Sequence, residues 1–167
     1  MTDRLNQKSP ELPVPQVAVT PATLVERLRI EAVLTQRMKS LFPFQNHILL
    51  SYPGFITCLW VEPRAGGVFQ VSLRSALGKV LLGEEARRLV AAGALPTGSQ
   101  RLTIDEENHV LLEWSAQYAG RVEAVAVADA LDEHARVAMQ LQRALDEDCY
   151  LEPVEDPTGL IPKGRPR

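Results

Sequence analysis

Residues 47–73 read HILLSYPGFITCLWVEPRAGGVFQVSL, and this stretch decides the fold class. Segments 47–52 and 55–61 are rich in aromatic and branched side chains, and a turn-forming Pro-Gly pair separates them. After a second turn at residues 62–67, apolar and polar side chains alternate along residues 68–73, which is typical of a strand with one buried face. The stretch therefore predicts three antiparallel strands in a meander.

A helical pattern precedes the meander. Thr20-Pro21 is a good helix start, because the threonine hydroxyl accepts a free backbone N–H and proline at the first helical position loses no hydrogen bond. Thr23 with Glu26 offers an alternative capping box three residues later. From there apolar side chains recur at three- and four-residue steps, which predicts an amphipathic helix ending near Pro43.

A short helix and a second hairpin are predicted after the meander. Gly83 begins the helix, which covers residues 84–95 and carries acidic residues at its N-terminal end. Residues 101–105 and 109–115 are predicted strands around a polar turn. Depending on the register, Leu102 and Ile104 face Val110, Leu112 or Trp114.

A long helix ends the predicted fold. Apolar residues at helical spacing between Asp129 and Asp148 predict it. Residues 122–128 fit the periods of both a strand and a helix, so the structure of residues 116–128 stays open, and we expect the helix from about Asp129. Together the elements predict an α+β fold: an antiparallel sheet, made of a three-strand meander plus a hairpin, with an N-terminal helix, a short middle helix and a long C-terminal helix.

Length and composition indicate one domain with two tails. The chain has 167 residues, of which 46% are hydrophobic and 23% charged, so it falls in the range of ordinary globular proteins. We expect a flexible, proline-containing tail at residues 1–19, one α+β domain at residues 20–148 and a flexible, proline-rich tail at residues 149–167.

Charge, cysteines and hydropathy predict a cytoplasmic protein without nucleic-acid partners and without membrane insertion. A net charge of -3 leaves no excess of positive charge to attract nucleic acid or anionic lipid. Cys58 and Cys149 lie far apart, with no metal-binding or disulfide spacing around them. No stretch approaches the roughly 20 apolar residues that span a bilayer, and the N-terminus lacks a signal-peptide core.

No motif in the chain identifies a reaction. His47, His109 and His134 are dispersed, and none has a partner at the spacing of a metal site or a catalytic dyad. Residues 105–107 are acidic, but they are consecutive at a hairpin tip, where their side chains diverge. Residues 78–85 lack the phosphate-binding pattern G-x-x-x-x-G-K-[ST], and we expect a loop there. We therefore predict no catalytic residue, no cofactor and no metal, and a protein that is not an enzyme.

Element order and three segments resemble a known family. The segments are GEEARRLVAAGAL at residues 83–95, HVLLEW at residues 109–114 and LDEHARVAMQLQRAL at residues 131–145. With the order helix, meander, short helix, hairpin and long helix, they resemble the class I chaperones of type III secretion, the family that includes the Tir chaperone. The resemblance covers Thr20 to about Glu147.

The resemblance implies a cytoplasmic homodimer with a role in protein transport and virulence. Such a chaperone binds the N-terminal segment of one or several secreted effector proteins in extended form, without ATP. It then delivers them to the secretion machinery, where the secretion ATPase is a further partner. By analogy with the family, the short helix and the strand after it form the dimer interface, here Leu89, Val90, Leu102 and Ile104.

A protein that holds a guest chain extended needs exposed apolar surface. Fixing about ten guest residues costs roughly 10 to 20 kcal/mol of backbone entropy, which asks for roughly 400 to 800 Å² of apolar burial. The first helix carries too wide an apolar stripe for one sheet face to cover, and the second strand is apolar on both faces. Each of these residues alone is explained at least as well as core. As a set they predict an effector-binding surface of Leu24, Val25, Leu28, Ile30, Val33, Phe55, Leu59 and Val61.

Two other functions stay open from the sequence. A regulatory or scaffold domain of similar fold would bind a folded partner and have no link to secretion. An enzyme could carry a site that no motif reveals. Binding of an extended effector segment separates the chaperone from the scaffold, and activity screens address the enzyme.

Overall fold

The computed structural model describes residues 19–92 and 99–153, which form three helices and seven strands. The helices are α1 (Pro21–Arg37), α2 (Gly83–Ala91) and α3 (Ala124–Cys149). The strands are β1 (Leu41–Pro43), β2 (Ile48–Tyr52), β3 (Phe55–Arg64), β4 (Val68–Val80), β5 (Gln100–Ile104), β6 (His109–Ala119) and β7 (Leu151–Glu152). The predicted tails at residues 1–19 and 149–167 lie outside the described residues, apart from Val19 and residues 149–153.

The described strands join one antiparallel sheet in the order β1-β2-β3-β4-β6-β5, and β7 pairs with the end of β4. The predicted meander is β2 to β4 and the predicted hairpin is β5 and β6, so the α+β fold is confirmed. In the hairpin Leu102 lies opposite Leu112 and Ile104 opposite Val110, which selects one of the registers left open. β1 and β5 are therefore the two edges of the sheet.

One face of the sheet is covered by α1 and α3, which contact each other as well as β3 and β4. Leu59 of β3 and Leu73 of β4 lie opposite each other and are fully buried. They join Ile30 of α1 and Leu131 of α3 in the main hydrophobic core. The intervening residues of β3, among them Trp60, bury a smaller cluster on the other face. β3 is therefore buried on both faces.

The start of α1 is set by a reciprocal pair of threonines. The Thr20 hydroxyl accepts the backbone N–H of Thr23 at 3.1 Å, and the Thr23 hydroxyl accepts the backbone N–H of Thr20 at 3.0 Å. Thr20 is therefore the cap, as predicted, and the alternative start with Glu26 at the third position is wrong. Glu26 lies instead on the buried side of α1.

The end of α1 differs from the prediction. The helix ends at Arg37 instead of near Pro43, because residues 41–43 form strand β1. Proline disfavours helical backbone in the residue before it. Pairing of Phe42 with Leu49 then adds this segment to the sheet.

The segment left open between the last strand and the last helix is divided by a turn. β6 continues to Ala119, and Gly120 follows with φ 74°. α3 begins at Ala124, so the expectation of a helix from about Asp129 is wrong by more than one turn. The buried Glu26 carboxylate accepts the backbone N–H of Val122 at 3.1 Å and so fixes the entry to α3.

β4 is longer than predicted, because it runs to Val80. The loop expected at residues 78–85 is wrong except at residues 81–82, because residues 78–80 belong to β4 and residues 83–85 to α2. Gly78 has φ 140°, and a Cβ atom there would lie 2.5 Å from the carbonyl oxygen of Glu152 in β7. Only glycine therefore lets β7 pair with β4. α2 ends at Ala91, and residues 93–95 of the predicted helix lie outside the described residues.

We expect Gly78→Ala to destabilise the protein more than Gly67→Ala. Both glycines have positive φ, which costs a non-glycine residue about 1 kcal/mol, but a Cβ at Gly67 meets no atom within 4 Å. At Gly78 the overlap with β7 adds about 1 to 3 kcal/mol. The free energy of unfolding in urea measures both variants, and an equal loss would contradict the described contact with β7.

Candidate functional site

The outward side of α1 carries exposed apolar residues. Val25 and Leu28 are 54% and 47% exposed, and they are neighbours on the helix surface opposite the buried Ile30. Leu24 and Val33 are half-buried at the flanks. Single exposed apolar residues are ordinary, and two adjacent ones form a small apolar patch. We name Leu24, Val25, Leu28 and Val33 the α1 face.

Strand β1 lies at one edge of the sheet. α1 contacts β1, and among the described strands β1 pairs only with β2. The backbone groups on its outer side are therefore not used by the sheet described here. Such an edge can accept an extended chain through backbone hydrogen bonds. The described part of the chain thus offers two separate features: an exposed apolar helix surface, the α1 face, and a strand edge, β1.

The other four residues predicted for effector binding lie inside the protein. Ile30 and Leu59 have no exposed surface, and Phe55 and Val61 are each 4% exposed. Ile30, Leu59 and Val61 belong to the main core, and Phe55 belongs to the neighbouring cluster that includes residues of α3. Enclosed side chains offer no surface to a guest chain, so the α1 face is the part of the predicted surface that solvent reaches.

The residues predicted for the dimer interface lie together at the opposite edge of the sheet. Leu89 and Val90 are on α2, Leu102 and Ile104 are on β5, and all four are half-buried. α2 contacts β5. Leu89, Leu102 and Ile104 pack partly against a core cluster, and Val90 is outside that cluster. The structure therefore places the four residues in one partly exposed strip.

A further exposed apolar spot was not predicted. Leu81, Leu82 and Tyr150 are 58%, 42% and 61% exposed. The backbone N–H of Leu81 donates to the carbonyl oxygen of Tyr150 at 3.1 Å, which holds the start of α2 against the end of α3. Tyr150 was assigned to the C-terminal tail, so the sequence pattern could not join it to residues 81–82.

His134 is fully buried within a chain of hydrogen bonds. Its Nε2 atom lies 2.7 Å from Ser75 Oγ, and its Nδ1 atom lies 2.6 Å from Gln100 Oε1. Ser75 Oγ lies 2.6 Å from Thr57 Oγ1. With a proton on Nδ1 donated to Gln100, Nε2 accepts from the Ser75 hydroxyl, which accepts from Thr57. These hydrogen bonds link α3 to β3, β4 and β5.

A histidine at this distance can act as a base and activate the serine hydroxyl as a nucleophile. Here, however, Ser75 and His134 have no exposed surface, so a substrate cannot reach the serine in the folded chain. Burial lowers the pKa of His134 to about 4, so its ring is neutral at pH 7. We assign the network a structural role, because it ties Gln100 at the start of β5 to the protein interior.

The partners of His134 were missed because they are distant in sequence. The burial of His134 could have been predicted from the sequence, since it lies three residues after Leu131 and four before Ala138. Both neighbours are on the buried side of α3. A polar ring on that side has to find hydrogen-bond partners or pay for desolvation.

The acidic residues 105–107 shape a turn. Asp105 Oδ1 accepts the backbone N–H groups of Glu107 and His109 at 2.9 and 2.8 Å. Within residues 19–92 and 99–153, no group of three or more His, Cys, Asp or Glu side chains lies close enough to hold a metal ion. No helix in the same part of the chain is long and apolar enough to cross a membrane.

Acidification should destabilise the fold through His134. In the unfolded chain this side chain takes up a proton near pH 6.5, whereas in the folded chain it does so only near pH 4. The unfolded state therefore binds more protons between these values, and stability is lost as the pH falls. From pH 7 to pH 5 we expect a loss of about 2 kcal/mol from this group, measured by urea unfolding.

The contribution of His134 is isolated by two variants. His134→Gln should lose this part of the pH dependence, although it also lowers stability at pH 7. His109→Gln removes a histidine from the hairpin turn and should keep the wild-type dependence. An unchanged pH dependence in His134→Gln would contradict a buried, neutral ring.

Comparison with protein-family models, with curated proteins and with solved structures finds no match to this chain. Its function is therefore inferred from the order of its elements and from the geometry of the α1 face and the two sheet edges.

Proposed function

We propose that this protein is a type III secretion chaperone, which binds the N-terminal segment of effector proteins in extended form in the cytoplasm and promotes their export. The observations that support it most are the α1 face, where Val25 and Leu28 are about half exposed, and the sheet edge at β1. Apolar surface and a strand edge are the two features that an extended guest chain needs.

The two features would contribute differently to guest binding. Backbone hydrogen bonds to β1 add about 1 kcal/mol each and do not depend on the guest side chains. Apolar contacts with the α1 face would add about 25 cal/mol per Å² of surface that the guest buries. A surface of this kind would accept effectors that differ in sequence, provided that they present apolar residues near the pairing segment.

The proposal includes a homodimer formed through α2 and β5. Leu89, Val90, Leu102 and Ile104 form a partly exposed strip there, and a two-fold axis can make one such strip its own partner. β5 and β1 are opposite edges of the sheet, so association at β5 would leave both α1 faces open. The buried hydrogen bond from His134 to Gln100 would hold the start of β5 in place for this contact.

The proposed role requires two kinds of partner and no chemistry from the chain itself. Effector proteins are the guests, and the secretion ATPase is the proposed acceptor at delivery. A regulatory or scaffold domain would use the same exposed residues for a folded partner. The state of the bound segment therefore separates the two functions.

Substitution of the α1 face should weaken guest binding without unfolding the chaperone. The test co-expresses the chain with N-terminal segments of effectors encoded in the same genome and measures the Kd of each captured segment by calorimetry. In the double variant Val25→Gln and Leu28→Gln, each lost contact removes about 1 kcal/mol, so the Kd should rise at least about tenfold. Both side chains are exposed, so thermal stability should change little.

Met139→Gln is the matched control, because Met139 is a 40% exposed apolar residue on α3, outside the α1 face. It should bind guests like the wild type. Capture of no effector segment, or of segments that resist protease when isolated, would contradict the chaperone. Equal affinity in the double variant and the control would contradict the α1 face.

Charge at the proposed dimer interface should produce monomers. Val90→Glu places a carboxylate in the strip at a residue outside the core cluster, so the fold should persist. Val125→Glu, at a 57% exposed residue of α3, should leave the dimer intact. Light scattering coupled to size exclusion measures the molar mass, and a wild-type monomer at micromolar concentration would contradict the dimer.

A further inference from the structure

A groove of about 390 Å³ lies between the turn that joins β2 to β3, the second half of α3, and β7. It opens to solvent, since the lining residues Pro53, Met139 and Pro153 are exposed. Leu77 of β4 and Leu151 of β7 add to an apolar lining. Among the described residues, those of α1, β1, α2 and β5 do not line it, so the groove is separate from the surfaces of the proposed function.

Hydrogen bonds hold the sides of the groove in place. Nε2 of Gln142, on α3, donates to the carbonyl oxygens of Gly54 at 2.6 Å and of Leu77 at 3.0 Å. Farther along α3, Asp146 Oδ1 accepts the backbone N–H of Leu151 at 3.2 Å. The helix is therefore tied to the turn, to β4 and to β7. A groove that is already formed costs its occupant less in ordering.

The chain around the groove is acidic. Residues 143–152 carry four acidic side chains and one basic one. Asp146, Glu147 and Asp148 are exposed, and the last turn of α3 contains no basic residue. The C-terminal end of a helix favours positive charge, so these carboxylates and the helix dipole both attract cations. An occupant with apolar and basic side chains is complementary to this surface.

A segment of this kind continues the described chain itself. The structure describes the chain as far as Pro153, which lines the groove. Residues 157–167 read PTGLIPKGRPR, with Leu160 and Ile161 followed by three basic side chains and no acidic one. Residues 154–159 span up to about 20 Å, so they are long enough to bring Leu160 back to the groove. So short a linker keeps the segment at an effective concentration in the millimolar range, where weak contacts are sufficient.

We propose that residues 160–167 fold back onto this groove, with Leu160 and Ile161 against Met139 and the basic side chains beside the acidic end of α3. Docking would cover Met139, which is 40% exposed. It would also support β7, which has two residues and, among the described strands, pairs only with the end of β4. The inference needs neither a guest nor a second copy, so it stands apart from the proposed function.

The methyl group of Met139 reports docking directly. The chain has three methionines, Met1, Met38 and Met139, whose methyl groups are labelled with carbon-13 in the full chain. Loss of one signal in Met139→Leu assigns it. In the double variant Leu160→Ser and Ile161→Ser, the Met139 signal should shift towards that of a solvent-exposed methionine. The Met38 signal is the internal control, and an unmoved Met139 signal, or an equal shift of both signals, overturns the docking.

Disulfide trapping locates the segment. Ile161→Cys is combined either with Met139→Cys in the groove or with Ala144→Cys, the matched control at an exposed residue of α3 outside the lining. The native cysteines are both buried. Under mild oxidation the Met139 pair should form an internal disulfide about tenfold faster than the Ala144 pair, because docking holds its thiols together. Equal rates would mean that the segment meets both positions at random, and would overturn the proposal.

Two further readings of the same experiment test the occupant and its charge. A disulfide that joins two chains, seen as a doubled mass on a non-reducing gel, would overturn docking of the chain's own segment in favour of that of a second copy. Replacement of Lys163, Arg165 and Arg167 by glutamine should remove most of the rate advantage of the Met139 pair. An unchanged advantage would overturn the contact between the basic side chains and the acidic end of α3.

Discussion

Among the described elements, α1 is packed from one side only. Ile30 and Leu34 of this helix are buried against the sheet and α3, and that contact is sufficient to hold the helix in place. Nothing in the fold described here uses the opposite side, yet Val25 and Leu28 are apolar. The protein therefore keeps hydrophobic contact area that folding does not consume, and this surplus is the physical basis of the proposed guest binding.

The antiparallel sheet keeps the two proposed contacts apart. Its long central strands β3 and β4 form the rigid part, and β1 and β5 are the edges. β1 contacts α1, whereas β5 contacts α2 and is tied to the interior by Gln100 and His134. An edge that is fixed in this way suits a constant partner such as a second copy. A short edge strand of three residues, which pairs through backbone groups only, suits partners that differ in sequence.

Much of the fold follows from local patterns. The meander, the hairpin and the stripe on α3 were predictable because alternation and helical spacing report which side chains share a face. Patterns do not report which other elements cover that face, and so the sequence could not show that Leu59 and Val61 are buried. The boundaries of α1 and α3 were missed because contacts between residues distant in sequence decide them. Residues 41–43 pair with β2 instead of continuing α1, and the Glu26 carboxylate accepts the backbone N–H of Val122 just before α3. The hydrogen-bond partners of His134 are revealed only by the three-dimensional structure, since they are distant in sequence and belong to no motif.

The most direct test of the surplus surface is amide hydrogen exchange, read by mass spectrometry, on the chain alone and with a co-expressed N-terminal effector segment bound. We expect exchange to slow in β1, where the guest would pair, and in the neighbouring part of α1, with little change in α2 and β5. Slower exchange confined to α2 and β5, or no change in β1 on binding, would contradict an extended guest at the α1 face.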